Sequence, residues 1–65
     1  MVQVNGQPEA GGAGMTLAEY VREKGYREDR IAVERNGALV PRAQYGETRL
    51  QPEDVLEIVS FVGGG

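Results

Sequence analysis

Two Asn-Gly pairs constrain the fold of this chain more than any other feature of its sequence. An Asn-Gly pair favours a type I′ turn, because both of its residues tolerate the positive φ angles that this turn requires. The pair at 36–37 joins the alternating segment 31–35 to the apolar segment 38–40, and it predicts a β-hairpin. The pair at 5–6 follows the alternating residues 2–4 and predicts another hairpin near the start of the chain.

The arm that returns from the first turn is a weak strand candidate. Pro8 lacks the amide hydrogen of a sheet ladder, so it belongs on an edge. Residues 10–14 contain three glycines, and we expect a mobile loop there with little strand content.

One segment carries the start and stop signals of a helix. Thr16 and Glu19 have the spacing of a capping box, in which each side chain bonds the backbone amide of the other. Leu17 and Val21 then share the helix face that should meet the core, and Gly25 is a natural end.

The longest predicted strand covers residues 55–62. Alternation along it creates an inner and an outer face. The inner face carries Leu56, Ile58 and Val62, and the outer face carries Val55, Val59 and Phe61 together with Glu57.

The order of these elements predicts an α+β fold with a single core. One short helix and four to five strands must share that core, so the helix lies across one face of a mixed sheet. This arrangement is a ubiquitin-like β-grasp. We expect the domain to cover residues 1–62, with a flexible Gly-Gly-Gly tail at 63–65.

The sequence argues against an enzyme with its own catalytic groups. It contains no cysteine and no histidine, which excludes thiolate chemistry, the usual zinc sites and a histidine base. The hydroxyls of Thr16, Thr48 and Ser60 therefore have no histidine to activate them. Glu53 and Asp54 are adjacent acids, which we expect to be solvated in a turn.

Charge and hydropathy indicate a cytoplasmic protein with protein partners. Ten acids against seven bases give a net charge of −3, which disfavours nucleic acid as a partner. No apolar run approaches the roughly 20 residues of a membrane span. The start of the chain also lacks the pattern of a signal peptide.

The glycines at the end have no evident packing role. A terminal glycine run is also typical of disorder or of an expression scar. However, Gly63 and Gly64 can thread a narrow channel because they have no side chains. The carboxylate of Gly65, with an ordinary pKa of about 3.5, is ionised at neutral pH and can attack the α-phosphate of a nucleotide. The tail therefore favours a carrier that delivers a reactive carboxylate.

Several short segments occur in an order and spacing that match a known family. They are residues 4–6, 15–17, 31–37, 40–42, Leu50, 57–59 and 63–65. Over its whole length the chain resembles the ThiS family, the sulfur carrier proteins of thiamine biosynthesis. It departs from the family pattern at residues 9–14, where an apolar strand is usual, and at residues 53–54, where Gly-Asp is common.

The resemblance implies a role and a set of partners. A ubiquitin-activating-like adenylyltransferase would use ATP to adenylate Gly65, and the chain itself would bind no cofactor. Sulfur from a cysteine desulfurase or similar donor would then convert the adenylate to a thiocarboxylate. Thiazole synthase would use this thiocarboxylate as its sulfur source. A carrier for molybdopterin or another pathway is the alternative within this class, and a β-grasp binding module that needs no tail is the alternative outside it.

Val59 and Phe61 are the predicted partner interface. They alternate onto the face that the single helix cannot cover, and they lie just before the glycines. An exposed aromatic beside exposed aliphatic side chains often marks an interaction site. The alternative is that the aromatic ring only shields the open face of the sheet.

Overall fold

Five strands and one helix make up the part of the chain that the structure, a computed structural model, describes, namely residues 1–61. The strands are β1 (Val2–Val4), β2 (Gln7–Glu9), β3 (Ile31–Arg35), β4 (Ala38–Leu39) and β5 (Val55–Ser60). The helix is α1 (Leu17–Glu23), and short 3-10 turns lie at Glu28–Arg30 and Arg42–Gln44. The predicted tail at 63–65 lies outside the described residues.

The sheet is mixed, and its last strand is central. The strand order is β2-β1-β5-β3-β4, with β1 parallel to β5 and all other neighbours antiparallel. β5 is the middle strand of the five, with β1 on one side and β3 on the other. The predicted mixed sheet of four to five strands is confirmed.

Both Asn-Gly turns have the predicted geometry. The φ angles are 51° at Asn5 and 81° at Gly6, and 52° at Asn36 and 87° at Gly37. Positive φ at both central residues gives a twist that suits the flanking strands. Pro8 lies in β2 on the sheet edge, opposite Gln3. The returning arm is therefore a true but short strand, and residues 10–14 contain no strand, as predicted.

The helix begins and ends at its predicted signals. The Glu19 amide donates to Thr16 Oγ1 at 3.1 Å, and the Thr16 amide donates to Glu19 Oε1 at 2.9 Å. These bonds with Thr16, first the one from its backbone, hold the pKa of Glu19 below its ordinary value. At the other end Gly25 has φ 85°, and the Tyr26 amide donates to the Val21 carbonyl at 2.9 Å. This is the hydrogen bond of a Schellman motif.

The core lies between α1 and one face of the sheet. Leu17 and Val21 are fully buried, as predicted, and they pack in one cluster with Leu56 and Ile58 of β5. The other buried apolar members are Val2, Ala18, Tyr20, Ile31, Val33, Tyr45 and Leu50. Desolvation, followed by the nearby Glu9 carboxylate, raises the pKa of Tyr20 to about 12, so this phenol stays neutral at physiological pH.

The end of β5 differs from the prediction. The strand stops at Ser60 rather than at residue 62, which lies outside the described residues. Phe61 nevertheless continues the ladder by one bond, because its amide donates to the Arg30 carbonyl at 2.7 Å. β3 begins only at Ile31, which pairs with Ser60, so no residue of β3 lies opposite Phe61 and the strand ends before it.

Candidate functional site

The structure describes the root of the predicted reactive tail but not the tail. Gly63, Gly64 and Gly65 lie outside the described residues, so the role predicted for them stays a prediction. The last described residue is Phe61, directly after β5. The candidate site is therefore built from β5, from the groups that fix this strand and from the sheet face beside Phe61.

Asn5 fixes the middle of β5 from the β1 side. Its amide donates to the Leu56 carbonyl at 2.9 Å, where the parallel pairing of β1 with β5 ends. The side chain then continues the pairing. Nδ2 donates to the Ile58 carbonyl at 3.1 Å, and Oδ1 accepts the Ile58 amide at 2.8 Å. The side chain of this turn residue thus makes the pair of hydrogen bonds with β5 that a further residue of β1 would otherwise make.

Asn36 fixes the start of β5 from the β3 side. Its amide donates to the Val55 carbonyl at 2.8 Å, and its Oδ1 accepts the Val55 amide at 2.9 Å. The sequence predicted both asparagines as turn residues only. Their second role, binding the backbone of β5, depends on the position of a strand that is distant in sequence. No pattern among the residues near each asparagine could therefore predict it.

Asp54 joins the second hairpin to the turn that precedes β5. Its Oδ2 accepts the Gln51 amide at 2.9 Å and Arg35 Nε at 2.8 Å, and its Oδ1 accepts Asn36 Nδ2 at 3.0 Å. Burial acts to raise the pKa of Asp54, but the bonds from Gln51, Asn36 and Arg35 together outweigh it and the pKa lies below its ordinary value.

The prediction that both acids of this turn are solvated is wrong for Asp54. Only 5% of its surface is exposed, whereas the Glu53 side chain is 79% exposed. The buried carboxylate is an ionised structural hub, with each of its oxygens bonded. It therefore holds the start of β5 in place and offers no free oxygen for acid–base chemistry.

Val59 and Phe61 are exposed, as their alternation predicts. Val59 is 57% exposed and Phe61 50%, while Leu56 and Ile58 on the other face are buried. Their use as an interface is not tested by this exposure. The structure adds Leu39 of β4, which is 67% exposed on the same sheet face. Its position could have been found by counting back from the Asn-Gly turn, since Leu39 pairs with the outward residue Glu34.

A groove of about 300 Å³ opens beside Phe61. Its lining is mostly apolar and consists of Ile31, Ala32, Leu39, Val40, Pro41, Arg42, Tyr45 and Phe61. Such a groove accepts an apolar side chain from a partner more readily than a polar ligand.

Two other kinds of site are not found among the described residues. Residues 1–61 contain no group of three or more acidic side chains placed to hold a metal ion. The helix in this part of the chain is too short to cross a membrane.

A mixed five-stranded sheet with one helix across a single face and its last strand in the centre defines a ubiquitin-like β-grasp domain. This class is the one predicted from the order of elements. The chain belongs to the ThiS family, which it matches over residues 2–65. The resemblance read from the sequence is thereby confirmed.

Relatives and a solved structure agree with this assignment. The chain is 37% identical over 70 aligned positions to the sulfur carrier protein ThiS of Bacillus subtilis, with full coverage of both chains. The crystal structure of a thiamine biosynthesis protein (ThiS) from Geobacter metallireducens superposes with a TM-score of 0.79 and 28% identity, covering 98% of this chain and 97% of that one.

The chain also matches part of larger proteins. It is 42% identical over 64 residues to a thiazole synthase of Magnetococcus marinus, covering 98% of this chain. The chain spans about a fifth of the length of the thiazole synthases that it matches, 20% in this case.

Proposed function

We propose that this chain is a sulfur carrier of thiamine biosynthesis, a protein substrate rather than a catalyst. The observation that carries the proposal is the ThiS family match, which extends through the terminal glycines to residue 65. The ThiS protein of Bacillus subtilis, similar over its full length, supports the same role.

The modified atom in this proposal is the carboxylate of Gly65. This carboxylate attacks the α-phosphorus of ATP and displaces pyrophosphate, giving an acyl-adenylate. A persulfide sulfur then attacks the carbonyl carbon, and AMP leaves. A thiol cleaves the S–S bond of the resulting acyl disulfide, is itself oxidised to a disulfide, and leaves the end of the chain as a thiocarboxylate. Gly63 and Gly64 contribute by having no side chains, so the extended tail fits a narrow channel.

The proposal assigns the chemistry to partners. A ubiquitin-activating-like adenylyltransferase binds and uses the ATP, and a cysteine desulfurase or similar enzyme provides the sulfur. Thiazole synthase consumes the thiocarboxylate, and the similarity of this chain to a region of two thiazole synthases supports that pairing. The proposal includes the cytoplasmic location expected from the sequence.

Val59 and Phe61 form the interface in this proposal. Both side chains are at least half exposed. Val59 lies in β5 and Phe61 directly after it, and this strand is fixed by Asn5, Asn36 and Asp54. A rigid strand leading to the tail defines the direction in which Gly65 is presented to a partner.

Pyrophosphate exchange tests the adenylation step. The purified chain is incubated with the adenylyltransferase encoded in the same genome, ATP and labelled pyrophosphate. We expect label to enter ATP only when the chain is present, and a chain lacking both Gly64 and Gly65 to lose the exchange. The matched control is Glu47→Gln, an exposed change outside the site, which should exchange as the wild type does. Wild-type exchange by the shortened chain would refute the proposal.

A further inference from the structure

Each Asn-Gly turn of this chain contains the dipeptide at which asparagine deamidates most readily. Glycine has no Cβ, so its main-chain nitrogen can approach the side-chain carbonyl carbon of the preceding asparagine. After this nitrogen loses its proton to hydroxide, it forms a bond to Cγ. Nδ2 takes a proton from water and leaves as ammonia, which gives a five-membered succinimide. Water then opens the succinimide to aspartate or isoaspartate, so the reaction needs no co-reactant other than water.

The fold bonds both asparagine amides to other parts of the chain. Asn5 binds the backbone of Ile58 through both polar atoms of its side chain. Asn36 donates from Nδ2 to Asp54 Oδ1 at 3.0 Å, and its Oδ1 accepts the Val55 amide at 2.9 Å. Ring closure moves the amide towards the glycine nitrogen and removes Nδ2 as ammonia, so these bonds must break first. The fold therefore slows deamidation at both turns.

The two sites differ in what the product does to the structure. Deamidation of Asn36 puts a carboxylate oxygen where Nδ2 now lies, 3.0 Å from Asp54 Oδ1. Two ionised carboxylates at this distance repel each other strongly, and the repulsion is greater because Asp54 is buried. At Asn5 the same change faces the neutral carbonyl of Ile58 instead. Only the change at Asn36 therefore opposes the hub that holds the start of β5.

The second Asn-Gly turn is also accessible to the reaction. Asn36 and Gly37 are both exposed, so water and hydroxide reach them. The bond to Asn36 from Val55 is exposed too, and it lies at the first residue of β5, where fraying is easiest. Isoaspartate adds a methylene group to the main chain, and the two-residue turn between the paired Arg35 and Ala38 cannot hold it without a shift.

We propose that Asn36 is a site of spontaneous deamidation, delayed by its hydrogen bonds with Asp54 and Val55, and that the product breaks the hub around Asp54. The substrate is the Asn36 side chain itself, and the reaction releases ammonia. This chemistry does not depend on the proposed function, because it needs only water. It makes the intact amide of Asn36 a requirement of the fold beyond the turn that contains it.

Peptide mass mapping of the wild-type chain follows the reaction over days in mildly alkaline buffer, with and without denaturing guanidinium chloride. Each conversion adds the mass difference between OH and NH2 to the fragment that contains it. Both Asn-Gly pairs should convert in the denaturant. In the folded chain, conversion at Asn36 should be slower by about tenfold or more, because two hydrogen bonds must break first. Equal rates in the two conditions, or no conversion in the denaturant, would overturn the proposal.

Asp54→Ala separates local protection from overall stability, because it removes the acceptor of Asn36 Nδ2. Conversion at Asn36 in the folded variant should be about fivefold faster than in the folded wild type. Asn5 keeps its bonds to Ile58 and is the internal control for unfolding of the whole chain. Glu47→Gln, an exposed change, should convert as the wild type does. Equal acceleration at both asparagines, in an Asp54→Ala variant that still unfolds cooperatively, would overturn the local protection.

Asn36→Asp tests the effect of the product on the fold. It should melt at a lower temperature than the wild type, whereas Ala10→Asp, which adds the same charge at an exposed loop position, should not. Asn36→Asp and Asp54→Asn together should lower the free energy of unfolding by less than the sum of their separate effects, because the double variant no longer opposes two carboxylates. Additive effects, or a wild-type melting temperature for Asn36→Asp, would overturn the proposed damage to the hub.

Discussion

Asp54 lies next to an exposed glutamate in a turn, yet its own carboxylate is buried and accepts three hydrogen bonds. The sequence predicted the same solvated environment for both acids, and it was right only for Glu53. Two of the three donors, Arg35 and Asn36, precede Asp54 by 19 and 18 residues. Such partners meet only after the second hairpin has been placed beside β5, so no local pattern could have revealed them.

The lowered pKa of Asp54 predicts how stability depends on pH. The folded-state pKa lies below the value of about 3.9 expected in the unfolded chain, so the stabilising effect is fully present above that pH. The effect is then lost as the pH falls through the folded-state pKa. Urea unfolding at a series of pH values between neutral and strongly acidic should show this decline.

The variant Asp54→Asn isolates this contribution. It should lower the free energy of unfolding at neutral pH by about 1.5–3 kcal/mol, because the amide cannot accept the charge-assisted bonds of the carboxylate. It should also show a smaller decline in acid. Glu47→Gln is the control and should follow the wild type. If the stability of Asp54→Asn fell in acid as much as that of the wild type, the Asp54 carboxylate would not be the source of the pH dependence.

At the scale of elements, local signals were informative wherever neighbouring residues dictate the structure. The capping box at Thr16, the stop at Gly25 and both Asn-Gly turns form as predicted. Element lengths were less predictable, because they depend on the partner strand. β2 is short, and β5 ends at Ser60 because β3 begins only at Ile31, with which Ser60 pairs.

Asn5 offers a test of how a turn residue supports a distant strand. Asn5→Gly keeps the ability to adopt φ 51° but removes both side-chain bonds to Ile58. We expect the free energy of unfolding to fall by about 1–2 kcal/mol, as measured by urea denaturation. Asn5→Ala should cost roughly 1 kcal/mol more, because the left-handed conformation is unfavourable with a Cβ. An Asn5→Gly variant as stable as the wild type would mean that these bonds contribute nothing.

At the scale of the whole molecule, the fold class followed from the order of elements, but the pairing did not. The parallel contact of β1 with β5 joins the two ends of the described chain, and nothing in either segment specifies the other. The candidate interface was predicted only in part. Alternation along the predicted strand identified Val59 and Phe61, whereas the position of Leu39 on the same face follows from the register of β3 with β4.

Phe61→Asp separates an interface role from a structural one. Phe61 is half exposed, so the charge should lower the free energy of unfolding by about 1 kcal/mol at most. The KM of the chain for adenylation should instead rise by about tenfold or more, because a docked partner would have to desolvate the new carboxylate. Ala10→Asp, which adds the same charge at an exposed loop position, is the control. An unchanged KM would show that Phe61 is not part of the interface.

The central claim is that this chain carries sulfur on Gly65, and intact mass measures it most directly. The chain is incubated with ATP, the adenylyltransferase, a cysteine desulfurase, cysteine and a thiol reductant. The masses of the intact chain and of its C-terminal fragments are then measured. The account predicts a gain equal to the mass difference between one sulfur and one oxygen atom, confined to the fragment that ends at Gly65 and absent without ATP. An unchanged mass with all partners active, or a gain on any other fragment, would contradict it.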